Sequence, residues 1–284
     1  MDRLLVEVRN SVDARVVGLR AVIEPGSEIA IGRTPPSDIA VADEQLSGRH
    51  FRIRWNGETA FLNDLASISG TFLQGERIGK ERVTLPHGAW VRAGRADFMV
   101  YHEAQTLKRM PALLELSPIA QRAYQGVSRE PHALFGVFDC ARDPRILPLL
   151  REAVDEQRCL LEGPKGRAAA DQAPHLVQFR DDSDLLRVLI GLGWGQRFGI
   201  VCASAQPFEE VRRHFRRLLL VTDEETGEEL YFRFYDPVVL RNYLAAATRA
   251  HRALMFGPIS AYLVEGPTRE VERLLEHSSV GASS

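Results

Sequence analysis

Ile31-Gly32-Arg33, Ser47-Gly48-Arg49-His50 and Asp64-Leu65-Ala66-Ser67-Ile68-Ser69-Gly70-Thr71 follow one another early in the chain, and Gly94 closes the series near a last strand. Around them lie short apolar or alternating runs: Leu4-Leu5-Val6-Glu7-Val8, Ala30-Ile31, His50-Phe51-Arg52-Ile53-Arg54-Trp55, Ala60-Phe61-Leu62-Asn63-Asp64 and Phe98-Met99-Val100-Tyr101. Runs of this length, with turn residues between them, predict an all-β sandwich. Asn56-Gly57 predicts a hairpin in which both central residues take positive φ, and Pro35-Pro36-Ser37-Asp38 and Pro86-His87-Gly88 predict further loops. The quoted fragments therefore place small polar residues, an arginine and glycines on loops between strands. That is the chemistry needed to surround a dianion with donors.

In that order the fragments resemble a forkhead-associated (FHA) domain, a β-sandwich whose end loops hold a phosphothreonine peptide. The resemblance implies phosphate contacts from Arg33 and Ser47, a further hydroxyl contact from Ser67, and loop support from Gly32, His50 and Gly70. Two positions depart from the pattern. Gly48 stands where an Arg usually follows the first Ser, and Ser69 stands where an Asn usually precedes Gly-Thr; Ser69 is still expected to contact the phosphopeptide through its hydroxyl, but loses an amide's paired donor and acceptor. The loops therefore read either as a phosphothreonine site or as a phosphate-independent docking surface on the same scaffold.

The 284 residues are 45% hydrophobic and 26% charged, ordinary globular material long enough for two domains. Residues 1–104 hold 13 basic and 14 acidic side chains and residues 105–284 hold 23 and 24, which together give the net −2. Neither half carries the positive excess of a nucleic-acid binder. No run approaches the ~18 apolar residues of a membrane span, and the start lacks a secretory pattern, so a cytoplasmic protein without membrane insertion is expected. Cys140, Cys159 and Cys202 lack metal or redox spacing and read as reduced, buried thiols.

Texture changes near residue 105. Pro111, Pro118 and Pro131 interrupt the stretch 105–131, which reads as a linker containing a short helix near Ile119 to Tyr124. Residues 132–284 then alternate strand-like and helical runs, predicting a mixed α/β domain. Expected strands are Leu134–Asp139, Leu176–Phe179, Phe198–Ala203, Leu218–Thr222, Leu230–Tyr235 and Ile259–Val264. Asp143-Pro144 predicts a helix through Gln157, Asp184 and Pro207 open two more, Asp236-Pro237 caps another, and Thr268 starts a last one. A hairpin loop is expected over 223–228.

Leu134 to Asp139, Ala173-Pro174-His175-Leu176-Val177, Gly193-Trp194-Gly195, Arg233-Phe234-Tyr235-Asp236-Pro237 and Phe256-Gly257-Pro258-Ile259 resemble, over about residues 132–266, a bacterial domain long catalogued as of unknown function. That family comprises effector adaptors, or chaperones, of type VI secretion systems. The resemblance implies a protein that binds a secreted effector in the cytosol and helps load it onto a VgrG-type spike. Within its most specific string, Arg233 and Tyr235 are expected on one strand face, Phe232 and Phe234 on the other, and Asp236 at a helix start, so all three polar residues read as architecture.

Other candidates fail on context. Gly191, Gly193 and Gly195 precede a strand, whereas a dinucleotide loop must follow one. Arg212, Arg213, Arg216 and Arg217 read as the basic end of a helix that begins with Glu209 and Glu210. No metal-ligand spacing, nucleophile elbow or phosphate loop with Lys-Ser/Thr is present. The sequence thus predicts a two-domain binding protein with no catalytic residues, no metal and no cofactor: a sandwich over 1–104, a linker over 105–131 and an adaptor domain over 132–284. The runner-up is a phosphothreonine-reading scaffold that regulates assembly of the secretion machine.

Overall fold

A computed structural model describes residues 2–161, 171–222 and 227–277. Two compact units divide the chain, Met1–Lys108 with Arg151–Val154, and Arg109–Leu150 with Asp155–Ser284.

The first unit is a sandwich of two sheets. One is ordered β2 (Arg20–Ile23), β1 (Leu4–Asn10), β11 (Ala96–His102), β10 (Ala89–Ala93), β7 (Thr71–Leu73) and β8 (Glu76–Arg77). The other runs β4 (Ile39–Ala40), β3 (Glu28–Gly32), β5 (Phe51–Trp55), β6 (Ala60–Asp64) and β9 (Val83–Leu85). Alternation does what period two requires. Phe51, Ile53 and Trp55 point inward from β5 while Arg52 and Arg54 point away, and Val91, Phe98 and Val100 meet them from the opposite sheet. Phe51 and Phe98 touch edge to face at 5.2 Å across the core, a pairing worth about 1 kcal/mol beyond buried area.

The β5–β6 connection departs from the expected turn. Trp55 pairs with Ala60, so four residues intervene. Only Gly57 takes positive φ, while the Asn56 carboxamide accepts from the Glu58 and Thr59 amides at 2.9 and 2.7 Å. Asn56 closes the loop through its side chain rather than through left-handed backbone.

The second unit is built on one antiparallel sheet, ordered β13 (Glu156–Cys159), β14 (Pro174–Gln178), β12 (Ala133–Asp139), β15 (Gly199–Ser204), β18 (Ala261–Glu265) and β19 (Val271–Leu274). Helices α1 (Gln105–Arg109), α2 (Pro118–Val127), α3 (Ile146–Glu152), α4 (Leu185–Gly193), α5 (Phe208–Leu218), α6 (Pro237–Ala246) and α7 (Arg249–Phe256) complete the chain, with a separate hairpin of β16 (Leu220–Thr222) and β17 (Glu229–Tyr231). The charge order of α5 is as the sequence predicts, with Glu209 and Glu210 in its first turn and Arg216 and Arg217 in its last.

Several expectations change here. The stretch read as a linker holds α2, which Ser117 caps by accepting from the Ala120 amide at 3.2 Å and which Pro118 begins. Its Ala120, Ala123 and Val127 are buried, and Gly126 lies close to Val271 of β19. The short helix expected near Ile119 to Tyr124 is thus present but longer, and Pro118 is its first residue, not an interruption. Helix α3 ends at Glu152, short of Gln157, because the buried Asp155 carboxylate accepts from the Arg180 amide at 2.9 Å and from the Ser183 hydroxyl, turning the chain into β13. The run Leu230–Tyr235 is strand only to Tyr231. Beyond it the Asp236 amide donates to the Arg233 carbonyl at 3.0 Å, and this turn buries Phe234 and Tyr235 together while Arg233 is exposed, so the expected two-face alternation is lost. Thr268 opens no helix. Arg269 takes φ 66°, the Gly266 amide bonds the Glu270 carbonyl at 2.9 Å, and the chain turns back as β19 beside β18. Residues 223–226 of the expected hairpin loop lie outside the described residues.

Candidate functional site

The end loops of the sandwich hold one another through backbone and hydroxyl contacts. The Arg33 amide donates to the Ser47 carbonyl at 2.9 Å, and a Cβ on Gly32 would stand 2.2 Å from the Gly48 carbonyl oxygen. Glycine is therefore required at residue 32 by close approach of two backbones. The buried His50 ring joins the remaining loops. Its Nδ1 accepts from the Ser47 amide at 3.1 Å, which leaves the proton on Nε2 to be donated to the Gly70 carbonyl at 3.1 Å. Burial pushes the His50 imidazole below its ordinary range and outweighs the bond to Gly70, which acts the other way.

The loop from Leu65 to Gly70 is braced from within by Asp64. Its carboxylate accepts from the Ser67 amide at 2.9 Å, the Ser67 hydroxyl at 2.5 Å and the Thr71 hydroxyl at 2.6 Å. Burial raises the Asp64 carboxyl, and these donors together outweigh it, so the group stays below the usual carboxylate range. The Ser67 oxygen also accepts from the Gly70 amide at 3.0 Å. Ser67, expected as a ligand contact, therefore uses its single proton inside its own loop. Ser69, also expected as a ligand contact, donates its hydroxyl proton to the Gln45 carbonyl at 2.8 Å instead, tying this loop to the one before β5.

A further brace lies at Asp43, which is buried and accepts from the Arg95 amide at 2.6 Å and the Gln45 amide at 3.0 Å. Gly94, at φ 55°, leaves room for that carboxylate: a Cβ there would stand 2.7 Å from Asp43 Oδ2. In the sequence only Gly94 hinted at this contact; Asp43 lies 52 residues from Arg95.

Within this braced frame, the two residues expected to contact phosphate keep donors to offer. Ser47 Oγ accepts from the Ile68 amide at 3.1 Å, which leaves the Ser47 hydroxyl proton without an acceptor among the described residues. The Arg33 side chain is exposed and makes no hydrogen bond or ion pair among the described residues. A guanidinium and a hydroxyl donor thus face solvent on adjacent loops, fixed by backbone bonds and unneutralised. Ile68, between Ser67 and Ser69, is 91% exposed.

Residues 29–94 match the FHA domain model. The FHA-like unit is followed by a second match, residues 134–254, to the family described as Domain of unknown function (DUF4123). Among curated proteins the chain is 35% identical over 69 residues to protein phosphatase 2C 70 of Arabidopsis thaliana, 33% over 78 residues to FHA domain-containing protein FhaA of Mycobacterium tuberculosis, and 34% over 67 residues to FhaB of Mycolicibacterium smegmatis. These matches cover 22%, 28% and 24% of this chain and only 12%, 14% and 43% of those proteins. Among solved structures, the FHA domain of CT664 protein from Chlamydia trachomatis matches at 26% identity with TM-score 0.32, covering 35% of this chain and 96% of that one. The FhaA FHA domain complexed with the intracellular domain of Rv3910 matches at 26% identity with TM-score 0.30, covering 34% and 98%.

In the DUF4123-like unit the structure brings polar residues to Asp236 that sequence reading missed. Asp236 caps α6 by accepting from the Val238 and Val239 amides at 2.9 and 3.4 Å. The same carboxylate accepts from Arg197 at 3.1 and 2.6 Å and from Arg142 at 3.4 Å, and Arg142 also lies 3.7 Å from Asp139. Arg233 does not join this cluster. Tyr235 is buried with its hydroxyl 3.4 Å from that of Tyr231. The three cysteines differ from expectation in one respect: Cys159 is half-buried, while Cys140 and Cys202 are buried. Among the described residues no group of three or more His, Cys, Asp or Glu is arranged to hold a metal ion, and no helix is long and apolar enough to cross a membrane.

Proposed function

We propose that this protein is a two-domain adaptor whose FHA-like unit holds a phosphothreonine segment of a partner and whose DUF4123-like unit carries a secreted effector to its export machine. One observation supports the first half above all others: Arg33 and Ser47 present an unpaired guanidinium and a free hydroxyl proton on loops that His50, Asp64 and Asp43 brace from within. A phosphate supplies the acceptors that both lack, and charge-assisted bonds of this kind are worth roughly 1.5 to 3 kcal/mol each. Ser67 and Ser69 act in this reading as loop braces, and His50, Gly32 and Gly70 keep the loops in register.

The second half rests on the resemblance of residues 132–266 to effector adaptors, with a VgrG-type spike as the receiving partner and the cytoplasm as the place of capture. On this reading the protein has no catalytic role. Adaptor function and phosphothreonine reading are compatible, since one unit can select the assembly state while the other holds cargo.

Titration of the full chain with phosphothreonine peptides and their unphosphorylated counterparts tests the FHA-like site. Preferential binding of the phosphorylated form, weakened about tenfold or more by Arg33→Ala at unchanged thermal stability, is the expected result. Equal binding of both forms indicates a phosphate-independent docking surface instead. For the adaptor half, co-expression of the full chain with an effector encoded beside it is expected to yield a stable complex that phosphatase treatment does not dissolve.

A further inference from the structure

The sequence shows Gly48 where the FHA pattern has a second cation, and the fold returns a cation to these loops from another place. Arg77 lies on β8, paired with Phe72 of β7. Its guanidinium reaches back over Gly70: a Cβ built on Gly70 would stand 2.5 Å from Arg77 Nε and 2.9 Å from both Cζ and Nη2. Gly70 takes φ 83°, so glycine suits the backbone there, and the Arg77 guanidinium lies over the space that a side chain would fill. The position is fixed further by the Ile78 amide, which donates to the Thr71 carbonyl at 3.0 Å and holds the two ends of the hairpin together.

Arg77 is exposed and, like Arg33, makes no hydrogen bond or ion pair among the described residues. Where a carboxylate stands near, arginines of this unit pair with it, as Arg95 does with Asp43 and Arg92 with Asp97. Arg77 instead rests against the glycine whose carbonyl receives the His50 proton, and His50 in turn fixes Ser47. From these contacts we infer that Arg77 is the second cation of the phosphopeptide site, binding an anionic oxygen of the ligand in place of the side chain absent at Gly48. The inference rests on the phosphothreonine reading of the loops. The oxygen belongs either to the phosphate or to an acidic side chain next to the phosphothreonine, and both present the planar or tripodal acceptors that a guanidinium fork matches.

The test uses the full chain and two phosphothreonine peptides, one with neutral and one with acidic residues flanking the phosphothreonine, titrated against wild type, Arg33→Ala, Arg77→Gln and Arg77→Lys. Arg77→Gln is expected to weaken binding about tenfold at an unchanged melting temperature, with partial recovery in Arg77→Lys, which keeps the charge but not the fork. Equal weakening for both peptides assigns the phosphate as the partner of Arg77; weakening confined to the acidic peptide assigns the flanking carboxylate. Wild-type affinity in Arg77→Gln for both peptides, while Arg33→Ala loses binding, overturns the role of Arg77 and leaves the phosphothreonine reading standing. Failure of the wild type to bind either peptide overturns both. If Arg77→Gln proves unstable, Arg77→Lys carries the comparison: a fold intact with binding undiminished for both peptides shows that the guanidinium fork is not used, and overturns the assignment.

Discussion

Arg197 grips Asp236 with two hydrogen bonds, Nε to Oδ1 at 3.1 Å and Nη2 to Oδ2 at 2.6 Å, from a backbone held at φ 59°. The same carboxylate caps α6, so a buried acid both satisfies free helix donors and neutralises a half-exposed guanidinium. The two roles separate by substitution. Asp236→Ala loses both and is expected to cost about 1 kcal/mol for the cap and up to about 1 kcal/mol for the solvent-screened pair. Asp236→Asn keeps the cap and loses only the charge, so it should fall between wild type and alanine in urea unfolding. Asparagine equal to wild type would show that the arginine pair contributes nothing.

Arg197 itself gives an independent reading of the same pair. Arg197→Ala removes the guanidinium but leaves a side chain in the left-handed region, whereas Arg197→Gly removes the guanidinium and relieves the backbone. Glycine is therefore expected to be the more stable of the two by about 1 kcal/mol. The opposite order, alanine above glycine, would mean that the backbone at this turn is not strained in the folded chain.

Val127 tests the segment that sequence reading took for a linker. It is fully buried at the end of α2, with Ala120 and Ala123 on the same face. Val127→Asp places a carboxylate in that core and should unfold or severely destabilise the second unit, by more than about 3 kcal/mol. A flexible linker would accept the change with no loss, as measured by thermal unfolding of the full chain.

What sequence could show followed from local rules. The sandwich strands were legible because Phe51, Ile53 and Trp55 alternate with arginines, and Asp236-Pro237 was legible as a cap because its chemistry lies within three residues. A short helix near Ile119 to Tyr124 was legible, but its full extent was not, because Pro118 was weighed as a breaker although Ser117 before it is a cap. Thr268-Arg269-Glu270 imitates a helix start, and only the turn at Arg269 and the pairing of Val271 with Glu265 reveal a strand. Contacts that join distant residues left no signal at all. Nothing near Asp236 points to Arg197, which is 39 residues away, and nothing in the FHA-like pattern points from Gly70 to Arg77.

Two glycines of the binding loops separate structural from functional loss. Gly32→Ala drives a Cβ to 2.2 Å from the Gly48 carbonyl, a backbone clash that no rotamer relieves, and should destabilise the sandwich by more than about 2 kcal/mol. At Gly48 the nearest atom to a new Cβ is Thr34 Oγ1 at 3.4 Å, an ordinary contact. Gly48→Arg is therefore expected to leave the melting temperature unchanged and to strengthen phosphopeptide binding. Adding Ser69→Asn should strengthen it further only if the bond from Ser69 to the Gln45 carbonyl is dispensable. Loss of binding in the double variant with the fold intact would assign that bond a part in shaping the site.

His50 makes the stability of the loops depend on pH in a defined direction. Burial lowers the protonation range of His50 in the first unit, as it does for His214 in the second, where Nε2 faces the Met255 carbonyl at 2.9 Å. Protonation is harder in the folded chain than in the unfolded one, so wherever the unfolded chain holds more protons, stability falls as pH falls. The contribution is complete above about pH 6.5, the ordinary histidine value, and is lost progressively below it, before the lowered carboxyls of Asp43 and Asp64 begin to be protonated at still lower pH. Denaturant unfolding of the full chain from about pH 8 to about pH 5 should show this decline. His50→Gln should be less stable at the alkaline end, because the bridge between the Ser47 amide and the Gly70 carbonyl is rebuilt imperfectly, and should decline less steeply toward acid. A slope unchanged by His50→Gln would show that His50 does not titrate in this range and would remove it as a source of the pH dependence.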